Sequence, residues 1–139
     1  MINFKELSTI LVVDDQQEQC DSIKMILQDN YQVLASTNAQ EALKMIDSLK
    51  GQIDVVILDI KMPEIDGLQL LGRIRKIAPD IEAVFITGFP STQTAVEALK
   101  YGAFDYIVKP FDKEVVEQVV RKGIERKLQK KLKEKWLII

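Results

Sequence analysis

Val55-Val56-Ile57-Leu58-Asp59 is a run of four apolar side chains closed by a carboxylate, and three other stretches are built the same way. Ile10-Leu11-Val12-Val13 ends at Asp14-Asp15, Ala83-Val84-Phe85-Ile86 at Thr87, and Tyr106-Ile107-Val108 at Lys109-Pro110. Apolar runs without alternation suit strands covered on both faces, and such strands belong mostly to parallel sheets. Parallel strands align their C-terminal ends, so three carboxylates, a hydroxyl and an ammonium are expected along one edge. Open α/β sheets bind ligands at that edge.

Helical patterns fill the intervals between these runs. Cys20, Ile23, Ile26 and Leu27 recur at helical spacing between Gln16 and Asp29, ahead of a weaker apolar run at Gln32-Val33-Leu34-Ala35. Asn38 is placed to cap a second helix, with Glu41 completing a capping box and Ala42, Leu43, Ile46 and Leu49 as its stripe up to Gly51. Met62 to Gly67 reads as a loop, and Leu68, Leu71, Ile74 and Ile77 form a third helical face before Pro79. Ser91 or Thr92 can start a fourth helix carrying Ala95, Val96 and Leu99 and ending near Gly102. Asp112 can cap a fifth through Val115, Val116, Val119 and Val120. Five strand-helix units in about 120 residues are too few for a barrel of about 250, and right-handed crossovers then place helices on both faces of an open sheet. The expected fold is a doubly wound five-stranded parallel α/β domain.

The chain has 139 residues, 47% of them hydrophobic, which suits one domain with a substantial core. No apolar stretch approaches the ~20 residues of a bilayer span, and the start lacks a basic region followed by an apolar one, so a cytoplasmic protein without membrane contact is expected. Cys20 is the single cysteine, which excludes an intrachain disulfide and points to a buried, inert thiol. Histidine is absent, which excludes a Ser/His/Asp triad, a histidine zinc site and an internal phosphohistidine. Formal charge is −8 over residues 1 to 120 and +6 over 121 to 139, an acidic body with a basic tail.

The acidic pair Asp14-Asp15, Asp59-Ile60-Lys61-Met62-Pro63 with Asp66-Gly67, Thr87-Gly88, Ala98 to Ala103, and Tyr106-Ile107-Val108-Lys109-Pro110-Phe111 occur in order and at consistent spacing. Together they resemble the receiver domain of two-component response regulators over roughly residues 8 to 121, and are most similar to receivers of the nitrogen-regulation type. Such receivers usually precede an ATPase and a DNA-binding domain, neither of which lies in this sequence. The resemblance implies a flavodoxin-like strand order of 2-1-3-4-5 and a signalling domain that promotes its own Mg-dependent phosphorylation and dephosphorylation. The phosphoryl group would come from a histidine kinase or a small phosphodonor and pass to Asp59, a carboxylate nucleophile whose acyl phosphate is labile enough to time a signal.

By the same resemblance Asp15 and Asp59 ligate Mg²⁺ or Mn²⁺ directly, Asp14 acts through water, and the backbone carbonyl of Lys61 completes the protein's share. The charges agree with this, because carboxylates ~5 Å apart repel by roughly 3 kcal/mol at an effective dielectric near 20. Lys109 would pair with Asp59 at rest and with a phosphoryl oxygen afterwards. Thr87 would donate its hydroxyl to the phosphoryl group and Tyr106 would be the switch aromatic, so that helix 4, strand 5 and helix 5 form the responding surface. In the family the bond before the proline equivalent to Pro110 is often cis. Lys61 and Phe89 lie two residues beyond Asp59 and Thr87, where they are expected to shield the phosphate from water. An acid/base aspartate two residues after the nucleophile, usual in aspartyl phosphohydrolases, is replaced here by Lys61, and a receiver-like module that is never phosphorylated would have lost an acidic residue or Lys109.

Residues 122–139 read as a basic helical extension or the start of a linker to an output module or effector. Val116, Val120, Ile124, Leu128, Leu132 and Trp136 recur every four residues, an imperfect heptad seam that drifts around the helix. A solvated continuation of helix 5, a signalling helix, a helix that pairs two protomers and a nucleic-acid patch all fit that pattern, and direct nucleic-acid binding is not expected of residues 1–121. A homodimer would use either this helix or the helix 4, strand 5, helix 5 face. The ending Trp136-Leu137-Ile138-Ile139 is apolar for a free terminus and suggests a longer natural chain.

Overall fold

A computed structural model describes residues 8–138, with side chains described through residue 135, so the first seven residues and the side chains of Trp136 and the apolar ending lie outside the described part of the chain. Strands and helices alternate as β1 (Thr9–Val13), α1 (Gln17–Leu27), β2 (Gln32–Ser36), α2 (Ala39–Ser48), β3 (Val55–Asp59), α3 (Gly67–Ile77), β4 (Glu82–Thr87), α4 (Thr92–Lys100), β5 (Asp105–Val108) and α5 (Lys113–Ile138). All pairings are parallel and the strand order is 2-1-3-4-5, the expected flavodoxin-like arrangement.

Alternate residues of the central strands feed two separate cores. Leu11, Val13, Val56, Leu58, Ala83 and Phe85 pack with Ala42 and Ile46 of α2, Leu71 and Ile74 of α3, and Ala98 of α4. Their neighbours Ile10, Val12, Val55, Ile57, Val84 and Ile86 pack with Cys20, Ile23 and Leu27 of α1 and Val116, Val119 and Val120 of α5. Two covered faces explain why Val55 to Leu58 of β3 and Ala83 to Ile86 of β4 are apolar without alternation. Among the described residues no helix is long and apolar enough to cross a membrane.

Local signals set the element ends, with some differences from the sequence reading. The Asn38 side chain accepts from Glu41 N at 2.8 Å, but the Glu41 carboxylate receives the Asn38 side-chain amide, so only half of a capping box forms there. A full box forms instead at Ser91, whose hydroxyl accepts from Thr94 N while Thr94 Oγ1 accepts from Ser91 N. In α4 the apolar positions are not a buried stripe. Ala98 is the buried residue, while Val96 and Leu99 face outward, Leu99 at 67% exposure. Val115 at the start of α5 and Val108 of β5 are exposed as well, so each of these three elements carries exposed apolar side chains.

Candidate functional site

β1 and β3 are neighbours with Val13 opposite Leu58, so Asp14, Asp15 and Asp59 emerge side by side at the C-terminal edge. A carboxylate oxygen from each lies within 4.8 Å of the others. Asp14 is buried, Asp59 nearly so, and Asp15 is exposed. Asp14 Oδ1 accepts from Gln16 N at 2.9 Å, and Asp59 Oδ1 accepts from Lys61 N at 3.2 Å. α3 starts against this strand end because Gly67 has no side chain, and a Cβ there would collide with the Asp59 carbonyl oxygen. Gly67 N donates to Ile60 O at 2.7 Å, and Asp66 caps α3 by accepting from Gln69 N.

β5 brings the ammonium. Thr87 pairs with Val108, and Lys109 N donates to Thr87 O at 2.8 Å, which directs the following side chain over the edge. Lys109 Nζ lies 2.8 Å from Asp14 Oδ2 and 3.2 Å from Asp59 Oδ2, so it is shared, and the shorter bond goes to Asp14. The sequence reading named only Asp59 as its partner; Asp14, fully buried, holds it as closely. The Lys109–Pro110 bond is cis.

One ammonium does not balance three carboxylates. Burial raises the Asp59 pKa above its ordinary value, and the charge of Asp14 raises it further, against the opposing pull of Lys109. Burial alone would lower the Lys109 pKa, but the hydrogen bond and charge of Asp14, followed by those of Asp59, leave it raised. A closely spaced set of hard oxygen donors with an exposed member and residual negative charge fits a divalent cation such as Mg²⁺ or Mn²⁺. The Cys20 thiol, buried behind Asp14, has its pKa pushed up to about 11 by burial and by the Asp14 charge, which keeps it protonated and unreactive.

A cavity of about 340 Å³ opens over Asp59, lined by Asp15, Gln16, Lys61, Gly88, Phe89 and Lys109. Lys61 Nζ stands 4.2 Å from the centre of the Phe89 ring, so these two side chains meet across its mouth. Thr87 is buried and its Oγ1 accepts from Phe89 N at 3.0 Å. Tyr106 is half-buried, and its hydroxyl lies 3.1 Å from Thr94 Oγ1 in the first turn of α4. The sequence reading missed Thr94; its signal was the Ser91-x-x-Thr94 spacing of a capping box.

A family model described as the response regulator receiver domain matches residues 10–135. Among curated relatives, the transcriptional regulatory protein ZraR of Salmonella typhimurium is 35% identical over 116 residues, covering 83% of this chain and 26% of ZraR. The chain thus spans about a quarter of the length of the curated relatives it matches first. Among solved structures, a response regulator receiver domain protein from Clostridium thermocellum is 35% identical with a TM-score of 0.83, covering 88% of this chain and 98% of that one. NtrX from Brucella abortus is 33% identical with a TM-score of 0.85, covering 92% of this chain and 29% of NtrX.

Proposed function

The chain belongs to the response regulator receiver family, on its nitrogen-regulation-like side, and from that premise we propose that Asp59 is its phosphoryl acceptor and the α4, β5, α5 face the surface it switches. It is a signalling domain and not a classical enzyme. The observation that carries the reading is the grouping of Asp14, Asp15 and Asp59 within 4.8 Å of one another, with Asp14 and Asp59 both paired to Lys109.

In this reading an Asp59 carboxylate oxygen attacks the phosphorus of a phosphohistidine on a partner kinase or of a small acyl phosphate. A bond forms from that oxygen to phosphorus as the bond to the donor nitrogen or oxygen breaks, and the leaving group keeps the electron pair. Asp15 and Asp59 would hold the cation directly and Asp14 through water, with the Lys61 backbone carbonyl as a further ligand. When bound, the cation supplies charge neutralisation of the transferring group. Lys109, anchored by Asp14, stays beside Asp59 and can follow the charge onto a phosphoryl oxygen.

Thr87 has its hydroxyl proton free to donate while Oγ1 accepts from Phe89 N. Its movement toward a phosphoryl group would open space for the Tyr106 ring, and Tyr106 would then leave Thr94. Because Thr94 also completes the α4 capping box, that departure would be felt at the start of α4. Val96, Leu99, Val108 and Val115 on the outer face are the side chains an effector or a second copy would meet.

Incubation with acetyl phosphate and Mg²⁺ followed by intact-mass measurement tests the assignment. Wild type is expected to gain the mass of one phosphoryl group and Asp59→Asn to gain none. Equal behaviour of the two proteins would overturn it.

A further inference from the structure

The strands that carry Asp59 and Thr87 each begin beside a second acidic residue, Asp54 ahead of β3 and Glu82 at the first position of β4. Glu82 is 1% exposed, an unusual place for a carboxylate that no site chemistry uses. Both residues face the same segment of α5. Arg126 Nε lies 3.2 Å from Glu82 Oε2 and Lys130 Nζ 2.5 Å from Glu82 Oε1. Lys127 Nζ lies 3.0 Å from Asp54 Oδ1 and donates to Ile53 O at 3.2 Å, and Lys127 is itself only 9% exposed. Asp54 Oδ2 in turn accepts from Thr9 N at 2.8 Å, so the starts of β1 and β3 meet α5 at this point.

A second, apolar observation agrees. Gly123 sits mid-helix, where glycine is disfavoured relative to alanine, and a Cβ there would stand 2.6 Å from Phe104 Cζ and 3.1 Å from Val55 Cγ2. The glycine therefore lets α5 approach β3 and Phe104 closely. Arg126 then lies over the other side of the arrangement, its guanidinium carbon 5.6 Å from the centre of the same Phe104 ring. Ile124 packs against the core built by α1 and α5.

We propose that residues 122–130 are a docked part of the receiver, held through Gly123 and through an ionic clamp of Arg126, Lys127 and Lys130 on Glu82 and Asp54. The folded unit then runs through about residue 130, beyond Arg121, and the clamp fixes the direction in which the chain leaves it. Arg126, Lys127 and Lys130 of this segment are counter-charges for two strand-end carboxylates; Lys127 is buried, while Arg126 and Lys130 reach the carboxylate from half-exposed positions. Leu128 and Leu132 are exposed, so the four-residue seam leaves the core after Ile124 while the ionic contacts continue to Lys130.

Two measurements test the clamp. In the double variant Arg126→Gln, Lys130→Gln, Glu82 keeps its buried charge without a partner, and the melting temperature is expected to fall by about 5 to 10 °C. Adding Glu82→Gln to that background should restore most of the loss, a rescue that a merely solvated helix would not show. In the unaltered protein, amide hydrogen exchange of residues 123–130 should be slowed as strongly as that of 116–121. An unchanged melting temperature, absence of rescue, or exchange of 123–130 at free-peptide rates would each overturn the proposal.

Discussion

The two ends of β3 and β4 are opposite in electrostatic design. At the N-terminal ends, Asp54 and Glu82 meet three cations of α5 and both carboxylates are paired. At the C-terminal edge, Asp59 of β3 and Asp14, which follows β1, share Lys109 with Asp15 close by, and the edge is left with excess negative charge beneath an open cavity. The same pair of strands thus carries one balanced end that holds a helix and one unbalanced end that can take up a cation and a phosphoryl group. The difference separates what fixes the structure from what is available to react.

Removing the single ammonium should have the largest effect. Lys109→Met leaves buried Asp14 and Asp59 uncompensated, a change worth about 3 to 5 kcal/mol for a fully buried pair and somewhat less here because Lys109 reaches solvent. Thermal unfolding in chelator should show a loss of roughly 10 °C, with partial recovery on adding Mg²⁺. Gly123→Ala comes next, since a methyl group 2.6 Å from the Phe104 ring forces the helix or the ring to move, costing about 1 to 3 kcal/mol. Denaturant unfolding would register it as a lower midpoint, and an unchanged midpoint would mean that α5 is not seated as closely as described.

Asp59→Asn should act in the opposite direction. The Asp59 pKa is raised in the folded chain, so the folded state binds that proton more tightly than the unfolded state just above the ordinary value of 3.8. Stability therefore falls as pH rises through that window, and the ionised carboxylate is a standing cost at neutral pH. In chelator the variant should melt a few degrees higher than wild type at pH 7, with the gain shrinking as pH approaches 3.8. The smallest effect concerns the cavity mouth: Lys61→Ala with Phe89→Ala should leave the melting temperature nearly unchanged and shorten the phosphoryl half-life severalfold. A half-life as long as in wild type would remove the shielding role from this pair.

Much of the unbalanced end was legible in the sequence because its residues close apolar runs, and parallel pairing forces such ends together. The balanced end was not. Glu82 looks like the residue before a strand, Lys127 like a solvated charge, and the pairing of Glu82 with Arg126 spans 44 residues, a separation that no local pattern encodes. Gly123 inside a helical pattern was the one local signal of close approach. The apolar positions of α4 show the reverse problem. Periodicity reveals that Val96 and Leu99 share a face with Ala95, but not whether that face meets the core or solvent.

Cation binding tests the contrast between the two ends most directly. Titrating Mg²⁺ into the unphosphorylated protein by calorimetry should give one site in wild type, and the same site in Asp54→Asn and Glu82→Gln. Asp15→Asn and Asp59→Asn should abolish or sharply weaken it. Binding that survives both substitutions at the C-terminal edge, or that is lost with those at the N-terminal edge, would contradict the account.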